Sequence, residues 1–194
     1  MKTRAVCVYC ASSRTCPGEY HDAARRLGIV LADNGYTIVY GGGGAGSMGA
    51  LADGAISRNG RVIGILPRFM DALEWGHRGL TELRLVEDMR TRKHVMLEES
   101  SGVVALPGGC GTFEELLEAM TLKRLGIFLG PIVLVNTMRY FDLLLAQLRS
   151  AIDEGFMDPK HQEMWSVVSD PEQVPDALAS APRWSEHART FAVR

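Results

Sequence analysis

The residues with the clearest potential for chemistry lie where an apolar run meets a glycine-rich turn and a helical pattern, at residues 106–115. A turn of this kind leaves backbone N–H groups free, and the N-terminus of the following helix adds partial positive charge, so an anion can bind there. The sequence therefore predicts a cradle for a monophosphate, made by Gly108, Gly109, Gly111 and Thr112. Two carboxylates, Glu114 and Glu115, follow within one helical turn.

A purely structural interpretation of the same residues remains open. Thr112 and Glu115 have the spacing of a capping box, with threonine at the N-cap and glutamate at the third helical position. In that case Glu115 would only stabilise the start of the helix.

Arg92 and Lys93 form a second candidate group, on a predicted helix that begins near Met89. Methionines flank Arg92 along the helix, so it does not lie on a clean solvent face, and such an arginine needs a carboxylate or phosphate partner. The alternative is a surface pair between Asp88 and Arg92, which would contribute only tenths of a kcal/mol.

A second glycine-rich loop, residues 41–49, follows another predicted strand. It contains the pattern G-x-G-x-x-G from Gly44 to Gly49, which is typical of dinucleotide-binding proteins. Two features disfavour a dinucleotide: the loop follows the second strand, and the next strand ends in Pro67 and Arg68 rather than an acid. We expect the loop to approach a nucleotide phosphate or to pack against a partner loop, and a purely structural turn is the alternative.

Apolar strand patterns and helical patterns alternate along the chain, and several strands are apolar on both faces. This pattern predicts an α/β fold: a single doubly wound, Rossmann-like domain with a parallel sheet of about six to seven strands and helices on both faces. We expect the domain to cover residues 1–182 and a polar, poorly ordered tail to follow at 183–194. In such sheets ligands bind beyond the carboxyl ends of the strands, where both glycine loops and Ser12 would lie.

Composition bounds the class of partner. The 194 residues are 46% hydrophobic and 23% charged with a formal net charge of −2, so no strong field favours nucleic acid or membrane surfaces. We find no signal-peptide pattern and expect a cytoplasmic protein. Cys7 and Cys10 form a C-x-x-C pair, but on a strand they face opposite sides, which favours buried thiols over zinc or redox chemistry. No metal site is predicted.

Four segments together resemble the Lonely Guy (LOG) family of cytokinin riboside 5′-monophosphate phosphoribohydrolases, whose members often carry the label "lysine decarboxylase". Residues 107–115 match P-G-G-x-G-T-x-x-E, and residues 41–49 resemble the family's G-G-G-x-x-G-x-M-G loop. Residues 8–13 resemble the end of its first strand, and residues 89–93 resemble M-H-x-R-K. The resemblance covers about residues 4–179.

The resemblance implies a homodimer, without a cofactor, that hydrolyses the N-glycosidic bond of an adenosine 5′-monophosphate. Arg92 and Glu115 would be the catalytic pair. Residues carried over or predicted as nucleotide contacts are Ser12, Gly42, Gly43, Glu74, Lys93, Gly108, Gly109, Gly111, Thr112, Glu114 and Thr121. Arg90, Cys110 and Ser47 depart from the family motifs and bear on base preference.

Two other functions are weighed against this one. A pyridoxal-phosphate decarboxylase needs a Schiff-base lysine, and Lys93 is the one lysine expected near the site. A non-catalytic carrier of a nucleotide or of molybdenum cofactor could share the glycine loops. Such a carrier would not require the pair formed by Arg92 and Glu115.

Overall fold

The computed structural model describes residues 4–73 and 75–190 and contains one seven-stranded, wholly parallel sheet. The strands are β1 (Ala5–Tyr9), β2 (Thr37–Tyr40), β3 (Val62–Pro67), β4 (Glu82–Val86), β5 (Val103–Ala105), β6 (Ile132–Val135) and β7 (Ser166–Val168). Their order across the sheet is β4-β3-β2-β1-β5-β6-β7. The predicted parallel sheet is confirmed.

Helices cover both faces of the sheet because the central strands are apolar on both sides. They are α1 (Gly18–Asp33), α2 (Gly46–Ile56), α3 (Arg68–Asp71), α4 (Met89–Glu98), α5 (Cys110–Arg124), α6 (Asp142–Asp153) and α7 (Val174–Ser180). Val8 and its alternate neighbours pack against α1, α2 and α7, whereas Tyr9 and its neighbours pack against α4, α5 and α6. The predicted doubly wound architecture is therefore confirmed.

The strand order creates a reversal point beside β1. The chain first adds β2, β3 and β4 on one side of β1, and then crosses back to add β5 on the other side. The loops after β1 and β5 consequently diverge at the carboxyl edge of the sheet and leave a crevice between them, which is where open α/β sheets bind ligands.

Residues 184–190 differ from the predicted poorly ordered tail, and the rest of that tail, residues 191–194, lies outside the described residues. Trp184 is 9% exposed and Ala188 is fully buried, and both pack with Met164 in a small apolar cluster. The Trp184 indole N–H donates to the Lys123 carbonyl at 2.7 Å, and a short 3₁₀ helix covers Glu186–Thr190. Residues 184–190 are thus packed onto the end of α5.

The Cys7 and Cys10 prediction is confirmed. Both thiols are free and fully or nearly fully buried, they pack on opposite faces of the sheet, and burial raises the pKa of each. Within residues 4–73 and 75–190, no helix combines the length and the apolar character needed to cross a membrane.

Candidate active site

A cavity of about 750 Å³ opens at the carboxyl edge of the sheet. Its walls come from the loops after β1, β2 and β5, from the first turns of α4 and α5, and from the segment around Met70 and Trp75. Both glycine-rich stretches singled out in the sequence therefore meet at one cavity, together with Arg92 and Glu115.

Arg92 is buried at the floor of this cavity, with 5% of its surface exposed. Its Nε donates to the Ile65 carbonyl at 3.1 Å, and its Nη2 donates to the Gly41 carbonyl at 3.0 Å. The predicted alternative of a surface pair with Asp88 is wrong. Asp88 instead caps α4, accepting a hydrogen bond from the Thr91 N–H at 2.7 Å, as aspartate commonly does at a helix N-terminus.

Glu115 lies opposite Arg92 and is 6% exposed. Its Oε1 is 3.8 Å from the Arg92 Nη1, which is an ion-pair distance but longer than a hydrogen bond. Within the described residues the Glu115 carboxylate accepts no hydrogen bond, so its oxygens remain available toward the cavity.

The capping-box interpretation of Glu115 is wrong. Helix α5 begins at Cys110 with Gly109 at its N-cap, three residues before the predicted start at Phe113, so Thr112 and Glu115 lie inside the helix. The glycine turn winds directly into the first helical turn, and Glu115 consequently points to the cavity rather than back to a cap.

Burial raises the pKa of Glu115 to about 7, and the neighbouring Arg92 guanidinium opposes the rise. Removing a carboxylate from water disfavours its charged form, and one cation at 3.8 Å compensates only in part. A carboxyl group with a pKa near neutrality, in a cleft and beside a specific charge, has the properties of a proton-transfer catalyst.

The glycine turn presents main-chain atoms to the cavity. Gly109, Gly111 and Thr112 all line it, at the N-terminal end of a 15-residue helix. Gly108 does not line the cavity. It packs so closely against the Thr112 side chain that a Cβ at this position would overlap it. Its carbonyl accepts a hydrogen bond from the Tyr140 hydroxyl at 2.6 Å.

Most charged side chains at the cavity have an ion-pair partner, and Arg14 is the exception within the described residues. Glu114 is paired with Lys93, which also lies 3.1 Å from Glu118, and Glu115 is paired with Arg92. Arg14, in the loop after β1, also lines the cavity and has no ion pair within the described part of the chain. Its guanidinium is therefore available to an anionic ligand.

The first glycine loop forms the opposite wall. Gly41, Gly43 and Gly44 line the cavity, and a Cβ at Gly41 would overlap the Arg92 Nη2 atom. Main-chain hydrogen bonds tie this loop to the segment before β4: the Gly44 N–H donates to the Trp75 carbonyl, and the His77 N–H donates to the Gly42 carbonyl, each at 2.9 Å. Of the two roles predicted for this loop, packing against another loop is confirmed, and the approach to a nucleotide phosphate stays a prediction.

The structure brings most predicted site residues together, but not all. Lining the cavity are Ser12, Gly43, Arg92, Gly109, Gly111, Thr112, Glu114 and Glu115. Gly42 adopts a left-handed φ of 77° and faces Leu66, while Lys93 reaches the site only through Glu114. Thr121 is exposed farther along α5, bonded to the Leu117 carbonyl. Glu74 lies outside the described residues.

Sequence reasoning missed two residues beside the site, Arg14 and Tyr140. Arg14 comes directly after Ser12 and Ser13, at the edge of the sheet where a ligand was predicted, and this position could have identified it as a candidate. Tyr140 is 32 residues from Gly108, and no local pattern links them. Of the motif departures, Ser47 is buried in α2, whereas Arg90 and Cys110 are exposed at the starts of α4 and α5.

These features define a Rossmann-like α/β protein with a glycine-rich turn at a helix N-terminus and a buried Arg–Glu pair at the carboxyl edge of its sheet. Solved structures share the fold. A molybdenum cofactor binding protein from Rippkaea orientalis has a TM-score of 0.70 at 20% identity, covering 93% of this chain and 98% of that one. The molybdenum cofactor carrier protein from Chlamydomonas reinhardtii has a TM-score of 0.69 at 21% identity, covering 92% and 99%.

Sequence relatives identify the family. A family profile described as "Possible lysine decarboxylase" matches residues 48–178. Cytokinin riboside 5′-monophosphate phosphoribohydrolase LOG3 from Arabidopsis thaliana is 40% identical over 88% of this chain and 78% of its own length. The protein of that function from Rhodococcoides fascians is 37% identical over 91% and 90%. The chain belongs to this LOG family, as its sequence motifs indicated.

Proposed function

We propose that this protein is a phosphoribohydrolase that cleaves the N-glycosidic bond of adenosine 5′-monophosphates, including N6-substituted ones, to release free base and ribose 5-phosphate. The observation that carries the proposal is the buried Glu115, with its pKa near 7, facing the cavity beside Arg92 and next to the glycine turn. The names of the family members support the same substrate class.

In this proposal the 5′-phosphate binds at the start of α5. The N–H groups of the first turn and the helix dipole favour an anion there, and Gly109, Gly111 and Thr112 line that part of the cavity. Arg14 supplies the counter-charge, because the charges of Arg92 and Lys93 are already compensated by carboxylates. Binding the phosphate holds the ribose in register for the reaction.

The chemical step is assigned to Glu115. As the bond between C1′ and the base nitrogen breaks, its electron pair leaves with the base and positive charge builds on the ribose, much as in glycoside hydrolysis. The Glu115 carboxylate stabilises that charge and accepts a proton from the attacking water, whose oxygen bonds to C1′. The departing base takes up one proton, and Glu115 releases the proton that it accepted from water, so that the carboxylate is regenerated and one water molecule is consumed in each turnover.

Arg92 has a supporting role in this mechanism. Two backbone carbonyls hold its guanidinium, so its position does not depend on the substrate. From there it keeps part of the Glu115 population ionised, because its charge opposes the effect of burial on the pKa of Glu115. It also orients the carboxylate toward the sugar.

The homodimer remains part of the proposal. Large apolar side chains are exposed beside the cavity: Phe69 at 53%, Leu73 at 56%, Trp75 at 55% and Met89 at 37%. A second copy that covers this surface would also close the cavity against water. Thr121 is remote from the cavity of its own chain, so a contact between Thr121 and a nucleotide requires a nucleotide held by that second copy.

A cytoplasmic location also belongs to the proposal. Its support is chemical: all four cysteines are free, as is usual in a reducing compartment.

The direct test is incubation with a panel of nucleoside 5′-monophosphates, including AMP and N6-isopentenyl-AMP, with chromatographic detection of free base and ribose 5-phosphate. We expect equimolar release of the two products from at least one adenosine-type nucleotide, and none from the corresponding nucleoside without phosphate. Binding of the nucleotides without release of base from any of them would refute the hydrolase and favour a carrier.

A further inference from the structure

The hydrogen bond between Tyr140 and the phosphate turn joins two distant parts of the chain. Tyr140 lies between β6 and α6, and its hydroxyl donates to the Gly108 carbonyl at 2.6 Å. Neither Tyr140 nor Gly108 lines the cavity, whereas Gly109 does. The bond is therefore made on the side of the turn that faces away from the ligand.

Peptide geometry transmits this contact to the cavity. The peptide group is planar and trans, so the Gly108 carbonyl and the Gly109 N–H point in opposite directions. While the carbonyl is held by Tyr140, the Gly109 N–H is directed away from Tyr140. Both residues of this peptide are glycines, which have wide backbone freedom, so the turn by itself places little restriction on the peptide orientation.

Tyr140 is itself held firmly. Its ring stacks on Phe113 at 6.2 Å between centroids and makes edge contacts with Tyr20 at 5.6 Å and Phe141 at 5.4 Å. The two preceding residues, Met138 and Arg139, have left-handed φ values of 52° and 61°. This conformation is unfavourable for residues that carry a Cβ, and it persists only where the surrounding structure imposes it.

We propose that Tyr140 is a positioning residue, which locks the Gly108–Gly109 peptide so that the Gly109 N–H is directed at the 5′-phosphate of the substrate. This inference rests on the proposed function, because it assigns the ligand of the turn as a phosphate monoester. Tyr140 does not touch the substrate. It raises the fraction of the protein in which the phosphate turn is ready to bind, and apparent affinity scales with that fraction.

The test compares Tyr140→Phe with Tyr20→Phe. The first variant keeps the aromatic ring and removes the hydrogen bond to Gly108. The second removes a hydroxyl from the same aromatic cluster without touching that bond, and serves as the matched control. Binding of ribose 5-phosphate and of adenine is measured by calorimetry, and KM and kcat are measured with AMP or N6-isopentenyl-AMP.

We expect Tyr140→Phe to weaken ribose 5-phosphate binding and raise KM by about 2- to 10-fold, the range that one lost hydrogen bond produces. Adenine affinity and kcat should stay within about twofold, the range of small surface effects, and Tyr20→Phe should match the wild type. Unchanged ribose 5-phosphate binding in Tyr140→Phe would overturn the inference. So would a parallel loss of adenine binding and kcat, which would indicate a merely structural role.

The binding arm separates this inference from the proposed function. If the wild type binds ribose 5-phosphate but releases no base, the hydrolase is refuted, while a selective loss of ribose 5-phosphate binding in Tyr140→Phe still supports the positioning role. If the wild type releases base and Tyr140→Phe binds ribose 5-phosphate normally, the hydrolase stands and the positioning role is refuted.

Discussion

Helix α5 carries a buried ionisable side chain near each end, and the two sites differ in everything except burial. Glu115, in the second turn, faces the cavity and lies 3.8 Å from Arg92. Lys123, in the last turn, is 1% exposed; its Nζ donates to the Gly130 carbonyl at 2.6 Å and lies 5.6 Å from the centre of the Trp184 ring. The two are about 12 Å apart along the helix axis.

Burial shifts the pKa values of Glu115 and Lys123 in opposite directions. It raises the pKa of Glu115 to about 7 and lowers the pKa of Lys123 to about 8, so both become readier to lose their charge near neutrality. Only Glu115 opens onto a cavity, however, and only Glu115 has a specific counter-ion within the described residues. A shifted pKa alone therefore does not make a group a candidate for catalysis; Glu115 also opens onto the cavity, whereas Lys123 does not.

The largest expected effect is on kcat, and it distinguishes Glu115 from Lys123. Glu115→Gln should lower kcat for base release by about 10²- to 10⁴-fold, the usual contribution of a positioned acid or base. Lys123→Met, at the other end of the helix, should leave kcat within about twofold. Both are measured by product chromatography, with folding checked by circular dichroism. Near-normal turnover in Glu115→Gln would refute the assignment of the chemical step to Glu115.

A second prediction disturbs the site formed by Arg92 and Glu115 through a substitution outside α5, in the first glycine loop. Gly41→Ala places a Cβ where the Arg92 Nη2 atom lies, so the guanidinium must move. A displacement of about 1 Å near the chemistry can lower the rate about 10²-fold, and we expect a loss of that order in kcat/KM. Gly18→Ala is the matched control, because a Cβ at Gly18 meets no atom within 4 Å. Equal rates for the two variants would contradict the role of Arg92.

A third prediction concerns stability and has opposite signs at the two sites. The pKa of Glu115 is raised from 4.5 to about 7 in the folded protein, so its charge destabilises the fold as pH rises through this range, by roughly 3 kcal/mol at pH 8. Glu115→Gln should therefore be more stable than the wild type at pH 8, with an advantage that vanishes near pH 4.5.

Lys123→Met should show the reverse dependence. The folded pKa of Lys123 is lowered from 10.5 to about 8, so the stability that its neutral form contributes is complete above pH 10.5 and is lost as pH falls toward 8. The advantage of the methionine variant should grow as pH falls through that window. Urea unfolding across pH measures both series; parallel trends in the two variants would contradict the opposite pKa directions.

A smaller effect than the loss in Glu115→Gln is expected in the pH dependence of the reaction itself. If the ionised Glu115 acts as the base, kcat should fall about tenfold per pH unit below about 7 and be constant above it. The profile of Lys123→Met should have the same shape. Because a phosphate monoester titrates near pH 6, kcat is recorded with saturating substrate. A profile without an inflection between pH 6 and 8 would exclude Glu115 as the titrating group.

Much of the fold was predictable because its determinants are local. Strands such as β2 and β6 are short apolar runs bounded by turn residues, and helices such as α1 carry an apolar stripe that ends at Asn34-Gly35. Alternation of the two patterns is sufficient to indicate a parallel sheet covered on both faces.

The start of α5 and the packing of the C-terminal segment were not predictable in the same way. Gly111 and Cys110 are weak helix formers, and Thr112 with Glu115 imitates a capping box, so the helix was expected to begin late. Trp184 lies in a polar stretch, and its burial depends on Lys123, 61 residues away. The pair proposed to be catalytic, Arg92 and Glu115, was predicted from family motifs, whereas the role proposed for Tyr140 depends on a contact visible only in three dimensions.

The two main-chain hydrogen bonds that tie the first glycine loop to Trp75 and His77 bear on how this site can evolve. Main-chain bonds persist whatever side chains the segment carries, so this wall of the cavity can change its residues and keep its position. Arg92 belongs to α4 but is bonded to the Gly41 carbonyl of this loop at 3.0 Å, so a loop held by main-chain bonds also keeps the guanidinium in place. Changes of base preference within the family are therefore expected to accumulate in this wall, on an unchanged reaction centre.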